Sequence, residues 1–216
     1  MIKGDVTMTI RENYIHLQKE IERICEARGR DPKSVHVVAV TKYVGIEKTK
    51  EAIAAGIKHI GENRSHGFNE KWEAIKDGCT WHFIGTLQSR KVKDVINRVD
   101  YLHSLDRLSL AKEVDKRLEK GRVLNCFVQV NVSGEETKFG LKPDEVIPFI
   151  RQLEPFQGIR VIGLMTMAPF YEDAERTRPV FRKLRELRDE VKALNLRHAP
   201  CTEVSSGMSY YYKVAL

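Results

Sequence analysis

Long hydrophobic runs are absent from this chain of 216 residues. Its longest apolar stretches, such as Val37–Val40 and Val161–Leu164, are far shorter than the roughly 20 residues that a membrane-spanning helix needs. The N-terminus, Met1 to Asp5, lacks the apolar core of a signal peptide. We therefore expect a cytoplasmic protein that does not interact with membranes.

Cysteine is scarce as well, and what there is follows no ligand pattern. The four cysteines are widely spaced, and none stands in a C-x-x-C or C-x-x-H arrangement: Cys25, Cys79, Cys126 and Cys201. Such spacing disfavours a metal or redox centre. It predicts isolated thiols in a reducing compartment.

A segregated block of charge is also missing. The net charge of +7 arises from 37 basic and 30 acidic residues that are interleaved, as in the helical pattern Phe181–Lys192. Alternating charges of this kind are typical of a solvated helix face. Without a basic tail or an aromatic-basic stripe, a nucleic-acid-binding module is the least favoured function. The positive balance suits a small anionic ligand equally well.

Short β-rich runs alternate with longer helical patterns, which predicts parallel strands joined by right-handed crossovers. No linker divides residues 1–216, so we predict one domain. A doubly wound sheet and a (β/α)8 TIM barrel both fit this α/β pattern. An extra N-terminal helix is predicted over Thr9–Ala27. The predicted strands are Val35–Thr41, Lys58–Gly61, Trp81–Ile84, Tyr101–Ser104, Val123–Asn131, Arg160–Met165 and a seventh near Glu203–Val204. The further predicted helices are Glu47–Ala55, Phe68–Lys76, Ser89–Asn97, Leu108–Lys120, Pro143–Leu153, Glu172–Leu194 and one beginning at Met208.

Lys42 is the central candidate residue, because it directly follows the first strand. We expect that strand to be covered on both faces, as its apolar run suggests. One interpretation is a lysine that extends into solvent from a strand end. The other is a Schiff-base lysine, whose amine is desolvated enough to attack an aldehyde. The carboxyl ends of parallel strands are where ligands bind in such folds.

The stretch Ser205-Ser206-Gly207-Met208-Ser209 is the second candidate. Two serines, a glycine and a helix start predict a phosphate cradle, since backbone N–H groups and hydroxyls would point at the anion. Ordinary helix capping by Ser206 or Ser209 is the alternative. A lysine for an aldehyde and a cradle for a phosphate at the same mouth support each other.

Several stretches together resemble the YggS/PROSC family, the pyridoxal phosphate homeostasis proteins. They run in the family's order and spacing from about residue 10 to the end of the chain. The matching stretches are Val38–Lys42, Gly61–Asn63, Trp81–Gln88, Val130–Ser133 with Lys138 and Gly140, Gly163–Met165, and Ser206–Ser209. The WHFIGxLQ and SxGMS patterns are the specific ones.

The resemblance implies a (β/α)8 barrel like the N-terminal domain of alanine racemase, without that enzyme's second domain. Lys42 would carry pyridoxal 5'-phosphate (PLP) as a Schiff base, and Ser205, Ser206, Gly207 and Ser209 would hold its phosphate. The family continues with a final strand where this chain ends at Leu216. We therefore expect the eighth strand to be missing from this sequence, and PLP to be held weakly or to be absent.

Four further residues are weaker candidates for PLP contacts. Asn63 and Asn131 end strands, and either cap loops or hydrogen-bond the ring hydroxyl of PLP. His82 lies inside a strand, where a hydrogen-bonded core histidine is the alternative. Met165 is placed to pack on the ring or to fill the core. Lys138 is a second lysine on the same side, expected to be exposed and to serve as a reserve amine.

The resemblance implies a monomeric carrier or regulator of PLP that serves PLP-dependent apoenzymes, with no established catalytic residues. A PLP-dependent racemase or lyase is the alternative, in which Lys42 would act as a base once substrate displaces it. A racemase of this fold, however, needs a second acid-base group, usually a tyrosine from another domain across a dimer. Since residues 1–216 are predicted to form a single domain, we expect no such partner domain and favour the carrier or regulator.

Overall fold

The computed structural model describes residues 7–216 and contains one sheet of parallel strands within them. Its seven strands follow one another in chain order, each paired with the next. They are β1 Val38–Val40, β2 His59–Glu62, β3 Thr80–Phe83, β4 Tyr101–Leu105, β5 Leu124–Gln129, β6 Ile159–Met165 and β7 Glu203–Ser205. This order is that of a barrel, and no pairing joins β1 to β7, so within residues 7–216 the barrel stays open.

Helices cover the outside of the sheet. Their bounds are α1 Ile10–Ala27, α2 Ile46–Ala54, α3 Ser65–Ile75, α4 Val92–Val95, α5 Leu108–Arg117, α6 Val146–Gln152, α7 Arg178–Ala193 and α8 Tyr212–Ala215. Short 3-10 turns occupy Pro32–Ser34, Lys76–Gly78, Ser89–Lys91, Pro143–Glu145 and Ala174–Thr177. None of these helices is both long and apolar enough to cross a bilayer.

The N-terminal helix α1 spans the opening on the helical side. Thr9 caps it through a capping box with Glu12, in which each side chain satisfies a backbone N–H of the first turn. Arg11 at its start donates to the carbonyl of Ala54 in α2. Glu20, near its middle, pairs with Lys213 of α8 at 3.2 Å. The ring of helices is therefore continuous from α8 through α1 to α2, although the sheet is not.

The side chains of the strands alternate between two environments, as the pleat requires. One set, which includes Ile60, Leu102, Val128 and Leu164, belongs to the main hydrophobic core under the helices. The other set faces the inside of the curl. His103 of β4 contacts Ser205 of β7 there at 2.7 Å. In a flat sheet these strands would lie about 14 Å apart, so the contact demonstrates strong curvature.

The predicted elements are confirmed with shifts of a few residues at their ends, but two expectations were wrong. The first strand is shorter than predicted and is an edge strand: Val38 and Ala39 are half-buried and Val40 is 51% exposed. An edge strand has only one neighbouring strand, so the apolar run did not mean that this strand is covered on both faces. The last helix begins at Tyr212 instead of Met208, because Gly207 has φ of +79° and a turn follows it.

Candidate functional site

Lys42 lies in a turn at the carboxyl end of β1. Val44 closes this turn by donating its N–H to the carbonyl of Thr41. The Lys42 side chain is exposed, and its ammonium lies 5.0 Å from the ring centroid of Tyr43, itself exposed. Burial therefore supplies none of the desolvation that the Schiff-base interpretation expected of this lysine.

The backbone just before Lys42 is held by a buried ion pair between α3 and the end of β2. Lys71 of α3 pairs with Glu62 at the end of β2, and both side chains are almost fully buried. The same ammonium donates to the carbonyl of Thr41 at 2.6 Å. The hydroxyl of Thr41 donates to the Glu62 carboxylate at 2.6 Å. These three contacts tie the ends of β1 and β2 to α3 and fix the point from which Lys42 emerges.

The serine-rich stretch lies at the carboxyl end of β7, the strand at the other side of the opening. Lys42 thus follows β1 and Ser205 ends β7, so the two residues lie at the same end of the sheet, on the two strands that bound the gap. Between residues 7 and 216, no hydrogen bond uses the backbone N–H groups of Ser206, Gly207 or Ser209. A Cβ at Gly207 would lie 3.1 Å from the Cβ of Ala215, so a side chain there would crowd α8.

A buried tyrosine anchors this stretch from behind. Tyr211 is 1% exposed and packs with Ala168, Val180 and Phe181. Its hydroxyl accepts the backbone N–H of Tyr171 at 2.8 Å. The loop after β6 and the segment after β7 are thereby joined, which steadies the open N–H groups next to Ser205.

His82 is the middle member of a hydrogen-bonded row of histidines inside the barrel. Its Nε2 lies 2.9 Å from Nδ1 of His59, and its Nδ1 lies 2.8 Å from Nε2 of His103. His103 in turn reaches the hydroxyl of Ser205 through Nδ1. We call His59, His82, His103 and Ser205 the histidine chain. His82 is therefore buried and hydrogen-bonded through both ring nitrogens, as the alternative interpretation of a core histidine expected.

Burial keeps the imidazole rings of the histidine chain neutral. It lowers the pKa of His82 to about 2, with smaller contributions from His103, His59 and His36. It lowers the pKa of His103 to about 4. The pKa of His59 is lowered too, first by burial and then by the neighbouring His36 and Lys58. Tyr101 stacks on His82 and Phe127 on His103, so apolar ring faces surround the chain.

The remaining candidates differ in how far their polar groups are free. Asn63 is half-buried after β2, and no side-chain hydrogen bond within residues 7–216 involves its amide. A Cβ at Gly85 would clash with the backbone oxygen of Asn63, so this glycine lets the segment after β3 pass against Asn63. Met165 is 4% exposed at the end of β6, opposite Ser205 in register. Asn63 and Met165 therefore stay candidates for ring contacts.

Asn131 is instead used by its own loop. Its amide nitrogen donates to the carbonyl of Glu135 at 2.8 Å, and its oxygen accepts the N–H of Gly134 at 3.1 Å. This geometry favours the loop-capping interpretation. The loop also carries Lys138, which is half-buried where we expected exposure. Its ammonium donates to the carbonyl of Met167 and pairs with Glu135.

The residues at this mouth fit a phosphorylated aldehyde. Ser205 supplies a hydroxyl, and Ser206, Gly207 and Ser209 supply backbone N–H groups, which are the donors that a phosphate requires. Lys42 supplies a primary amine at the facing strand end. Within residues 7–216, no cluster of three or more histidine, cysteine or acidic side chains is arranged to hold a metal ion.

Residues 14–213 match the family described as alanine racemase, N-terminal domain. A pyridoxal phosphate homeostasis protein of Aquifex aeolicus is 38% identical over 97% of this chain and 92% of its own length. The chain belongs to the pyridoxal phosphate homeostasis protein family. A second relative of the same description, from Pseudomonas aeruginosa, is 33% identical over 83% of this chain and 79% of its own length.

Solved structures agree with the family and the fold. PipY of Synechococcus elongatus with PLP bound has a TM-score of 0.76 and 31% identity, covering 91% of this chain and 92% of its own. Alanine racemase of Clostridium difficile has a TM-score of 0.69 and 15% identity, covering 89% of this chain and 49% of its own, which shows the fold alone. The predicted family and the predicted alanine-racemase-like fold are thus confirmed.

Sequence reasoning missed most of what surrounds Lys42 and Ser205 in this family member. His59 and His103 were not singled out, although each lies in a predicted strand next to that of His82. Lys71 was not considered because a lysine in a helix is expected on the surface. The signal available for the histidines was that three successive strands each carry one, and the register offsets each from the next by two residues, which keeps all three on the same face.

Proposed function

We propose that this chain binds PLP at the open mouth of its barrel and serves in PLP homeostasis as a carrier or regulator. The observation that carries the proposal is the placement of Lys42 and the Ser205–Ser209 segment at the carboxyl ends of the two strands that bound the gap. The name shared by its relatives and the PLP bound to PipY support it. The recipients would be PLP-dependent apoenzymes in the cytoplasm, and the protein would act as a monomer.

Lys42 is proposed to hold PLP covalently. The unprotonated amine nitrogen adds to the aldehyde carbon of PLP, and one water leaves as the Schiff base forms. When bound, PLP supplies an electron sink for amine chemistry. The buried contacts of Thr41, Glu62 and Lys71 hold the backbone from which Lys42 extends. An exposed lysine also suits reversible loading, since solvent has free access to the attachment point.

The phosphate is proposed to lie on the Ser205 hydroxyl and on the open N–H groups of Ser206, Gly207 and Ser209. Helix α8 has four residues and begins beyond this segment, so its dipole adds little to anion binding. Asn63, His82 and Met165 would lie near the pyridine ring, and Asn131 would shape the loop beside it. A racemase or lyase is not favoured, because the likeness to alanine racemase extends to the fold alone.

Borohydride reduction followed by intact mass measurement tests the attachment site. The protein incubated with PLP should gain the mass of one reduced phosphopyridoxyl group, and Lys42→Ala should not. Lys138→Ala is the matched control, since Lys138 lies on the same side but its ammonium is already bonded to Met167 and Glu135. It should load like the parent. If Lys42→Ala still gained the mass of one reduced phosphopyridoxyl group, the assignment of Lys42 as the attachment site would be overturned.

A further inference from the structure

The histidine chain ends at a residue of the proposed phosphate site. It crosses the barrel from β2 through β3 and β4 to β7, using three contacts of 2.9, 2.8 and 2.7 Å. His82 and His103 are at most 5% exposed, so water does not compete for these contacts. The last contact joins His103 to the hydroxyl of Ser205, the side-chain donor proposed for the phosphate.

Neutral imidazoles make such a chain directional. Each neutral ring carries one N–H and one acceptor nitrogen. Both internal contacts run from Nδ1 of one ring to Nε2 of the next, so the protons have only two consistent arrangements. In the first, all three rings carry the proton on Nδ1, and His103 donates to Ser205. In the second, all three carry it on Nε2, and Ser205 donates its hydroxyl proton to His103.

Only the first arrangement leaves the hydroxyl proton of Ser205 free for a ligand. An anion on Ser205 requires that proton, and a charge-assisted hydrogen bond exceeds a neutral one in strength. The anion would thereby select the arrangement of the whole row. Phe127 and Tyr101 stack on the rings of His103 and His82 and offer no competing acceptor.

We propose that His103 is a positioning residue that turns the Ser205 hydroxyl toward a bound phosphate, and that His59, His82 and His103 all take their Nδ1–H forms when the phosphate is bound. This inference rests on the proposed function, because it takes the phosphate of PLP as the anion. It extends that function by giving buried side chains far from the mouth a part in ligand orientation.

A double-mutant cycle on phosphate binding tests the first half. Pyridoxine 5'-phosphate is the probe, because it carries the phosphate but lacks the aldehyde and so does not depend on Lys42. Ser205→Ala and His103→Phe should each weaken binding about tenfold or more, as expected for a hydrogen bond to a charged group. Their combination should be little worse than either single variant.

Two further variants separate positioning from packing. His103→Asn keeps a donor near the position of Nδ1 and should retain most of the affinity. His198→Phe removes another half-buried histidine, one whose Nε2 contacts the carbonyl of Ile150 away from the chain. It should bind like the parent. Additive losses in the cycle, or no difference between His103→Phe and His198→Phe, would overturn the positioning role.

Nitrogen-15 spectra of labelled histidine test the second half, since imidazole nitrogen shifts distinguish the two tautomers. With the probe bound, His59, His82 and His103 should all be Nδ1–H forms. An Nε2–H form of His103 in the bound state would refute the inference while leaving PLP binding intact. Failure of the parent itself to bind the probe, or PLP, would instead refute the proposed function and this inference with it.

Discussion

Two buried polar systems lie on opposite faces of the sheet. The groups of one are charged, and those of the other are neutral. Outside the curl, Lys71 and Glu62 are buried as an ion pair, with Thr41 completing their hydrogen bonds. Inside it, His82 and His103 are buried and His59 is half-buried, and no acidic side chain is bonded to any of the three within residues 7–216. His82 and His103 are about as deeply buried as Lys71 and Glu62, so the difference lies in the partners.

The comparison shows what decides whether a buried titratable group stays charged. An ammonium can remain buried where a carboxylate meets it, because each charge compensates the desolvation of the other. Imidazoles whose neighbours are imidazoles gain no countercharge, and burial is then the largest of the effects that lower their pKa. The charged system fixes backbone at the base of Lys42, and the neutral system leads to Ser205. Each side of the proposed ligand site therefore rests on a different kind of polar support.

Breaking the charged system should have the largest effect on stability. Glu62→Gln leaves Lys71 without its countercharge, and Lys71→Met leaves Glu62 without one. Each should lower the free energy of unfolding by about 3–5 kcal/mol, measured by urea denaturation. The double variant should lose less than the sum of the two, because no uncompensated charge then remains.

The exposed ion pair of α2 provides the control for that measurement. Lys48 and Glu51 are separated by 3.8 Å and are both more than half exposed. Lys48→Met should change the unfolding free energy by no more than about 0.5 kcal/mol. A similarly small loss in Lys71→Met would mean that the buried pair does not stabilise the fold.

The second largest effect on stability should come from acid, which acts on the buried neutral histidines. The pKa values of His82 and His103 are lowered in the folded state, to about 2 and about 4, so below pH 6.5 the unfolded chain binds protons that the folded chain does not. Their contribution is complete above pH 6.5 and is lost as the pH falls toward those values. Together they should lower the unfolding free energy by about 2 kcal/mol per pH unit between pH 6 and pH 5.

Urea denaturation at pH 7.5, 6, 5.5 and 5 measures that slope. The combined variant His82→Gln and His103→Gln should flatten it, whereas His16→Gln, which changes an exposed histidine of α1, should leave it unchanged. A parent protein with the same stability at pH 7.5 and pH 5 would contradict the neutral, buried state of the two rings.

Much of the fold could be predicted from the sequence, because each strand is marked by a β-rich run and a turn residue. The site was less accessible. His59, His82 and His103 are 23 and 21 residues apart, and only the strand register brings them together. Lys71 reads as a surface lysine until α3 is placed over the ends of β1 and β2. Lys42 and Ser205 were accessible because position alone, after a strand, singled them out.

Lys42→Ala should have the smallest effect on stability. This distinguishes Lys42, the amine proposed to bind PLP, from the buried residues that hold its backbone. The Lys42 side chain is exposed, and its one recorded side-chain interaction within residues 7–216 is with the ring of Tyr43. Its removal should shift the unfolding free energy by about 0.5 kcal/mol or less, in contrast to Lys71→Met. Urea denaturation without PLP measures this directly. A loss above about 2 kcal/mol would mean that Lys42 is part of the buried support, and that its failure to load PLP could no longer be assigned to the missing amine.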